Sequence, residues 1–167
     1  ISWVDIAPTI LQFAGAAKIK QDARGGRSFL DILGEPRPKG RDEIFASHTF
    51  HEATMYYPMR VARNRKYKLI WNVAHGLPFP FASDLWGSST WQEALAAGPQ
   101  SRYGRRTVKQ YVERPRFELY DIESDPHEAK NLADDPQHAS VLSELQGRIK
   151  AEQERTQDPW LLKWDRE

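Results

Sequence analysis

The chain has 167 residues with 24 basic and 23 acidic side chains, a formal net charge of +1, so nothing in the whole-chain charge draws it to nucleic acid and any anion binding must come from local clusters. It has no cysteine, which excludes disulfides, thiol catalysis and Cys-ligated metal together. At 40% hydrophobic and 28% charged residues it reads as one globular domain, and no apolar run approaches the ~20 residues that span a bilayer.

The first residues, Ile1-Ser2-Trp3-Val4-Asp5, have neither an initiator Met nor a signal-peptide pattern and read as the middle of a longer polypeptide. Val4 to Ala14 is helical by period, with Val4, Ile6, Ile10, Leu11 and Phe13 apolar. Pro8 is tolerable only in a first turn, so the helix starts near Asp5 to Ala7, and Gly15 ends it. Ser28 caps a short helix, Phe29 to Leu33, and the Pro- and Gly-rich stretch Gly34 to Gly40 is a surface loop. We expect residues 1–40 to be a helix-and-loop linking segment and residues 41–167 to form a sheet-and-helix subdomain.

Asp42 to Ser47 reads as a strand. Met59 to Arg63 and Tyr67 to Asn72 read as a hairpin, in which Met59, Val61, Tyr67, Leu69 and Trp71 alternate with Arg60, Ala62, Lys68 and Ile70. The turn falls at Asn64-Arg65, where Asn tolerates positive φ. Gly76 to Trp86 is an aromatic, Pro-rich loop with anchors, and Ser89 or Thr90 caps a helix that Gly98-Pro99 ends. Phe117 to Ile122 is a further strand with Phe117 and Leu119 on one face. The last helix is capped by Asp134 or Asp135, has Pro136 at its first position and runs to about Thr156. Its buried stripe is Val141, Leu142, Leu145 and Ile149. Strands followed by a terminal helix make an α+β fold, a small antiparallel sheet packed on a C-terminal α-helix, whose other face meets solvent or another domain.

Three clusters could carry chemistry. Ser47-His48-Thr49-Phe50-His51-Glu52, after a strand end, runs on to Tyr56-Tyr57-Pro58-Met59-Arg60. Two His at i and i+3 beside a Glu could hold a metal, but the pattern is not the helical zinc motif. They could equally be hydrogen-bonded structural residues. The favoured reading is a sugar-and-anion contact surface in which imidazoles and carboxylate bond hydroxyls, Arg60 pairs with sulfate or carboxylate, and Tyr56 or Tyr57 stacks on a sugar ring. In the second cluster, Phe117 to Glu128 continuing to Asn131-Leu132-Ala133, Glu128 and Asn131 can bond loop amides and fix how the sheet turns into the last helix. The third, Arg102, Arg105, Arg106 and Lys109, reads as a solvated face, with contact to a polyanion as the alternative. There is no Gly-x-Ser-x-Gly elbow, P-loop or dinucleotide fingerprint.

Val4-Asp5-Ile6-Ala7-Pro8-Thr9-Ile10-Leu11 with Gly15, Gly26-Arg27-Ser28-Phe29-Leu30, Tyr67-Lys68-Leu69-Ile70, and Glu118-Leu119-Tyr120-Asp121 with Asp125-Pro126, Glu128 and Asn131-Leu132 resemble, in order, the C-terminal region of the sulfatase family. His51 to Arg60, Pro78-Phe79-Pro80 with Asp84, and Thr156 to Trp160 resemble its heparan N-sulfatase branch most, with departures at Phe50, where a second His is expected, and in the arginine-rich stretch near Arg105. The resemblance implies an alkaline-phosphatase-like parent that hydrolyses a sulfate ester or sulfamate through a formylglycine nucleophile and a Ca²⁺ ion. Both would lie in an N-terminal domain outside this chain, since the Cys- or Ser-x-Pro-x-Arg motif is absent here. It implies that this chain is inactive alone, packs against that domain and lines the pocket for a sulfated glycosaminoglycan with His51, Glu52, Tyr57 and Arg60, and with His48 as a fifth residue. An O-sulfatase or phosphoester hydrolase of the same superfamily and a non-catalytic sulfated-glycan-binding module stay open. An apolar seam stripped of its partner domain would favour self-association. The absence of Cys and of Asn-x-Ser/Thr sites leans to an exported bacterial parent over a lysosomal one.

Overall fold

The computed structural model describes residues 1–16, 25–52 and 55–166. Ala53 and Thr54, inside the His51 to Arg60 segment, and residues 17–24 of the linking segment lie outside the described residues. The strands are β1 (Ile44–Phe50), β2 (Tyr56–Arg63), β3 (Tyr67–Asn72), β4 (Arg102–Tyr103), β5 (Arg106–Thr107) and β6 (Phe117–Asp121). β1, β2, β3 and β6 form one antiparallel sheet in that order, and β4 and β5 form a separate small hairpin. The helices are α1 (Ile6–Phe13), α2 (Ser83–Trp86), α3 (Ser89–Ala96), α4 (Val108–Val112) and α5 (Ala139–Thr156). This is the expected α+β arrangement, with α5 across one face of the sheet.

The register assigns the faces. Arg63 pairs with Lys68, so odd-numbered residues of β2 share a face with even-numbered residues of β3. Arg60 and Ala62 therefore stand beside Trp71 and Leu69, and these beside Phe117 and Leu119. Grouping Met59 and Val61 with Leu69 and Trp71 is corrected by this pairing. Leu145 and Ile149 of α5 close the core over Ala62, Leu69, Trp71 and Leu119, with Val141 and Leu142 half-buried at its edge. The turn between β2 and β3 also works differently from expectation. Asn64 does not adopt positive φ. Its side-chain oxygen accepts from the Lys66 and Tyr67 amides at 2.9 and 2.6 Å, an Asx turn.

β1 runs three residues past Ser47, because β2 also starts earlier and carries it on. Ser47 pairs with Arg60, His48 with Met59, and Phe50 with Tyr56. Tyr57 and Pro58 together oppose Thr49, a bulge that accommodates a residue with no N–H to give the ladder.

The ends of α5 follow their sequence signals. Asp135 accepts from the Gln137 amide at 3.0 Å and opens a 3₁₀ turn, Pro136–His138, that leads into the helix. Gln157, at φ 55, ends it in the left-handed region. Asp158 then caps a second 3₁₀ segment, Pro159–Trp164, which brings Trp164 onto Trp71 with ring centroids 4.0 Å apart. Trp164 donates its indole N–H to buried Gln153 at 2.6 Å.

At the other end, Pro8 occupies the first turn of α1, where no helical N–H is lost. The Asp5 carboxylate accepts from the Ser2 and Arg27 amides, each at 2.9 Å, and lies 3.6 Å from Arg41. Burial pushes the Asp5 pKa up, but the two amides and the Arg41 charge outweigh it and hold the carboxyl below its ordinary range. Gly26 is required here by space: a Cβ on it would lie 2.0 Å from the Val4 carbonyl oxygen.

The loop after β3 is anchored as expected. Phe79, Phe81, Trp91, Tyr103 and Tyr111 form a chain of ring contacts, and Tyr57 meets Phe79 edge-on at 5.1 Å. Ser88, one residue before the expected cap, accepts from the Trp91 amide and starts α3. Thr107 and Gln110 make a capping box for α4.

Candidate functional site

The five sequence candidates do not converge on one surface. His51 and Glu52 lie in the turn after β1; His51 is exposed and Glu52 half-buried. The His51 amide donates to the Met55 carbonyl at 3.3 Å and the Met55 amide to the Glu52 carbonyl at 2.9 Å, which closes this turn. The Glu52 carboxylate faces the start of α2, accepting from the Ser83 hydroxyl and amide at 3.3 and 3.4 Å. Such long contacts leave both oxygens open to a stronger donor. Trp86, three residues on from Ser83 and so on the same side of α2, is half exposed beside Phe81 and Trp91.

His48 and Tyr57 lie beneath this turn. His48 Nδ1 is 3.0 Å from the Tyr57 carbonyl, which ties β1 to the bulge in β2. Tyr57 is fully buried, and its hydroxyl has no hydrogen-bond partner among the described residues. Burial, opposed by the Arg114 charge and reinforced by Glu118, pushes its phenol up to about 12.

Arg60 points the other way, toward α5, and is 8% exposed. Its guanidinium forms a two-pronged pair with Asp158, through Nε on one oxygen and Nη2 on the other at 2.9 Å. Its Nη1 donates to the His48 and Met59 carbonyls at 3.1 and 2.7 Å. Four of the five N–H donors of an arginine are thus occupied by this chain's own groups. Burial raises the Asp158 pKa, yet the Arg60 hydrogen bonds and the Trp160 amide hold its carboxyl below the ordinary range.

A second polar cluster lies on the face away from α5; its Glu118 and Tyr120 fall in the second sequence cluster and its Arg106 in the third, but the sequence does not join them. Glu118 is 2% exposed. It accepts from Asn72 Nδ2 at 2.7 Å and from the Tyr120 hydroxyl, with Arg106 and Arg114 at 3.6 and 3.8 Å. Burial first, then the Glu118 charge and hydrogen bond, drive the Tyr120 phenol far above its ordinary pKa. The hint in the sequence is a carboxylate between Phe117 and Leu119 with Arg114 four residues before it, and only the fold brings Arg106 of the β4–β5 hairpin to it.

Two expectations for the remaining clusters are corrected. Arg106 is not part of a solvated face: it is 13% exposed, donates to the Glu128 carbonyl and lies over Tyr111 and Tyr120. Glu128 does not bond loop amides but pairs with Lys68 Nζ at 2.8 Å through both oxygens. The loop amides are held instead by Asp121 and Asp125, and by Asn131 as expected. Among the described residues no three His, Asp or Glu side chains come together to hold a metal ion.

The architecture is that of an α+β subdomain, and a relative 36% identical along 96% of the chain puts it in the sulfatase family. It is similar to human N-sulphoglucosamine sulphohydrolase, 36% identical over 96% of this chain and 34% of the human protein. It is also similar to an ulvan-active sulfatase of Formosa agariphila, 30% identical over 89% of this chain and 24% of that one. No family model matches. Among solved structures, a 2-O GAG sulfatase superimposes with a TM-score of 0.60 at 23% identity, and a protein in complex with its substrate D-glucosamine-2-N,6-O-disulfate with 0.58 at 20%. Each likeness covers 93% of this chain, and at these identities it speaks for the fold alone. The chain spans about a third of the human relative's length and about a quarter of the others'.

Proposed function

We propose that the chain is the C-terminal part of a sulfatase whose whole protein hydrolyses the N-sulfate of glucosamine in heparan-type glycans. The observation that carries this reading is the 36% identity to human N-sulphoglucosamine sulphohydrolase along 96% of the chain. Formylglycine and Ca²⁺ would supply the nucleophile and the charge stabilisation of such a reaction. The residues present here fit neither group. There is no Cys or Ser in the x-Pro-x-Arg setting, and the described carboxylates and imidazoles form no ligand cluster. No step through either group is therefore assigned to this chain.

This chain's part is to dock and to shape. Trp3, Ile10, Leu11 and Phe13 present an exposed apolar surface along α1, with Phe13 80% exposed, which suits burial against the rest of a larger protein. Residues 1–40 then serve as the link and residues 41–167 as the subdomain. His51 and Glu52 stand at the rim as donors and acceptors for sugar hydroxyls or amine. His48, Tyr57 and Arg60 form the frame that fixes their turn. In the whole enzyme, His51→Ala and Glu52→Gln should raise KM for an N-sulfated glucosaminide about tenfold, the equivalent of about 1.4 kcal/mol of lost binding, with little change in kcat. Unchanged KM in both variants would remove these residues from the pocket.

A second reading is O-sulfate hydrolysis, favoured by the 30% identity to the ulvan-active sulfatase. Sulfate release compared on N-sulfated and O-sulfated glucosaminides separates the two. A glycan-binding role without catalysis predicts salt-sensitive heparin retention of the chain, weakened by substitution of Arg102 and Arg105.

A further inference from the structure

The bulge between β1 and β2 lies at the base of the turn that carries His51 and Glu52, and a bulge interrupts the ladder where it falls. Two side-chain contacts bridge the interruption. His48 Nδ1 lies 3.0 Å from the Tyr57 carbonyl, and Arg60 Nη1 donates to the His48 carbonyl at 3.1 Å. The stem of the turn therefore depends on where the Arg60 guanidinium stands. That position is set from the far end of the chain, because both Asp158 oxygens accept from Arg60. Asp158 is itself held twice: its carboxylate accepts from the Trp160 amide at 2.9 Å, and its amide donates to the Gln153 carbonyl at 2.9 Å.

A second contact reaches the other stem of the turn. The Trp160 and Tyr56 rings meet with centroids 6.1 Å apart, within the range of aromatic pairs. Tyr56 opens β2 and pairs with Phe50, the last residue of β1, so this contact falls at the mouth of the turn. Trp160 also packs on the core, which anchors it independently of Tyr56. Further on, Trp164 stacks on Trp71 and donates to Gln153, so the segment is pinned beyond Trp160 as well as before it.

We propose that the segment after α5 is a strap in which Asp158 and Trp160 are positioning residues for the substrate turn. Asp158 orients Arg60 beneath His48, Trp160 holds Tyr56, and together they fix the His51 ring and the Glu52 carboxylate. Neither strap residue touches the sugar. The proposal rests on the reading of His51 and Glu52 as the rim of the pocket, and it makes substrate affinity depend on an ion pair that spans 98 residues of the chain. Misplacing an aligning group by about 1 Å can cost as much as about 100-fold in activity, and a turn tied at two points and loosened at one loses less.

The test is the KM of the whole enzyme for an N-sulfated glucosaminide, measured well below the Tm of each variant. Asp158→Asn and Trp160→Ala should each raise KM about fivefold, with kcat within about twofold. Trp160→Phe keeps a ring against Tyr56 and should bring KM back to within about twofold of the parent value. Leu145→Ala opens a cavity at the Asn64 end of the sheet, away from the turn, so it should lower Tm and leave KM unchanged. If Asp158→Asn does not fold, the two Trp160 variants decide alone. Unchanged KM in the strap variants while His51→Ala raises it would overturn the strap and leave the rim standing. A KM raised equally by Leu145→Ala, or not restored by Trp160→Phe, would also overturn the strap. Unchanged KM in His51→Ala as well would remove rim and strap together. An enzyme that cleaves only O-sulfated sugars would overturn the N-sulfate reading, and the same KM comparison on that sugar would still read the strap.

Discussion

Arg60 and Asp158 lie 98 residues apart and meet in a two-pronged ion pair that fastens the segment after α5 to the second strand of the sheet. Both side chains are about nine-tenths buried, so either alone is a stranded charge. Asp158→Ala should destabilise the chain by about 3 kcal/mol, read as a fall in Tm of roughly 6–12 °C in thermal unfolding. The Arg60→Ala, Asp158→Ala double variant should lose less than the sum of the single losses, since the second change removes a charge already unpaired.

The same carboxylate sets the acid limit. Asp158 and Asp5 both have their pKa lowered by folding, so each contributes stability that is complete above the unfolded value of about 3.9. That contribution is lost as pH falls through the depressed folded-state values. Tm should therefore be flat from pH 6 to about pH 4 and drop below it, and Asp158→Asn should show a lower Tm at neutral pH with a shallower acid drop.

Two glycine-to-alanine changes should have opposite signs. At Gly26 the new methyl would collide with the Val4 carbonyl, and the shift it forces should cost about 1–3 kcal/mol. At Gly147, exposed within α5, the methyl meets nothing within 4 Å and should raise stability by about 1 kcal/mol. Urea unfolding midpoints of the two variants check both.

Glu118 is held by Asn72 and Tyr120 with two arginines beside it, so removing its charge takes the carboxylate from Arg114 and leaves Arg106 to Glu128 alone. Glu118→Ala should cost about 3–5 kcal/mol, whereas Glu118→Gln, which keeps the shape and one acceptor, should cost less. Thermal unfolding of both variants separates lost charge from lost packing.

The elements were legible where a local signal defines them. Pro8 fixed the start of α1, Asp135-Pro136 the start of the terminal helix, and the alternation of Leu69 and Trp71 one strand of the sheet. What escaped was set between elements. The faces of β2 depend on a pairing register that its own alternation does not encode, so the sequence leaves Arg60 open to an anion, whereas in the fold it faces α5 and Asp158. The length of β1 depends on β2, and the buried role of Arg106 depends on Glu118, a strand away. The turn after β1 is legible through His51 and Glu52, whereas Ser83 and Trp86 are not, because only the fold brings α2 beside that turn.

The most direct test of the proposed function is sulfate release from an N-sulfated glucosaminide by two proteins: this chain alone, and the same chain joined to a sulfatase segment carrying the formylglycine motif of its parent gene. The joined protein should release sulfate and the 167-residue chain none. Turnover by the chain alone, or a joined protein that cleaves only O-sulfates, would contradict the account.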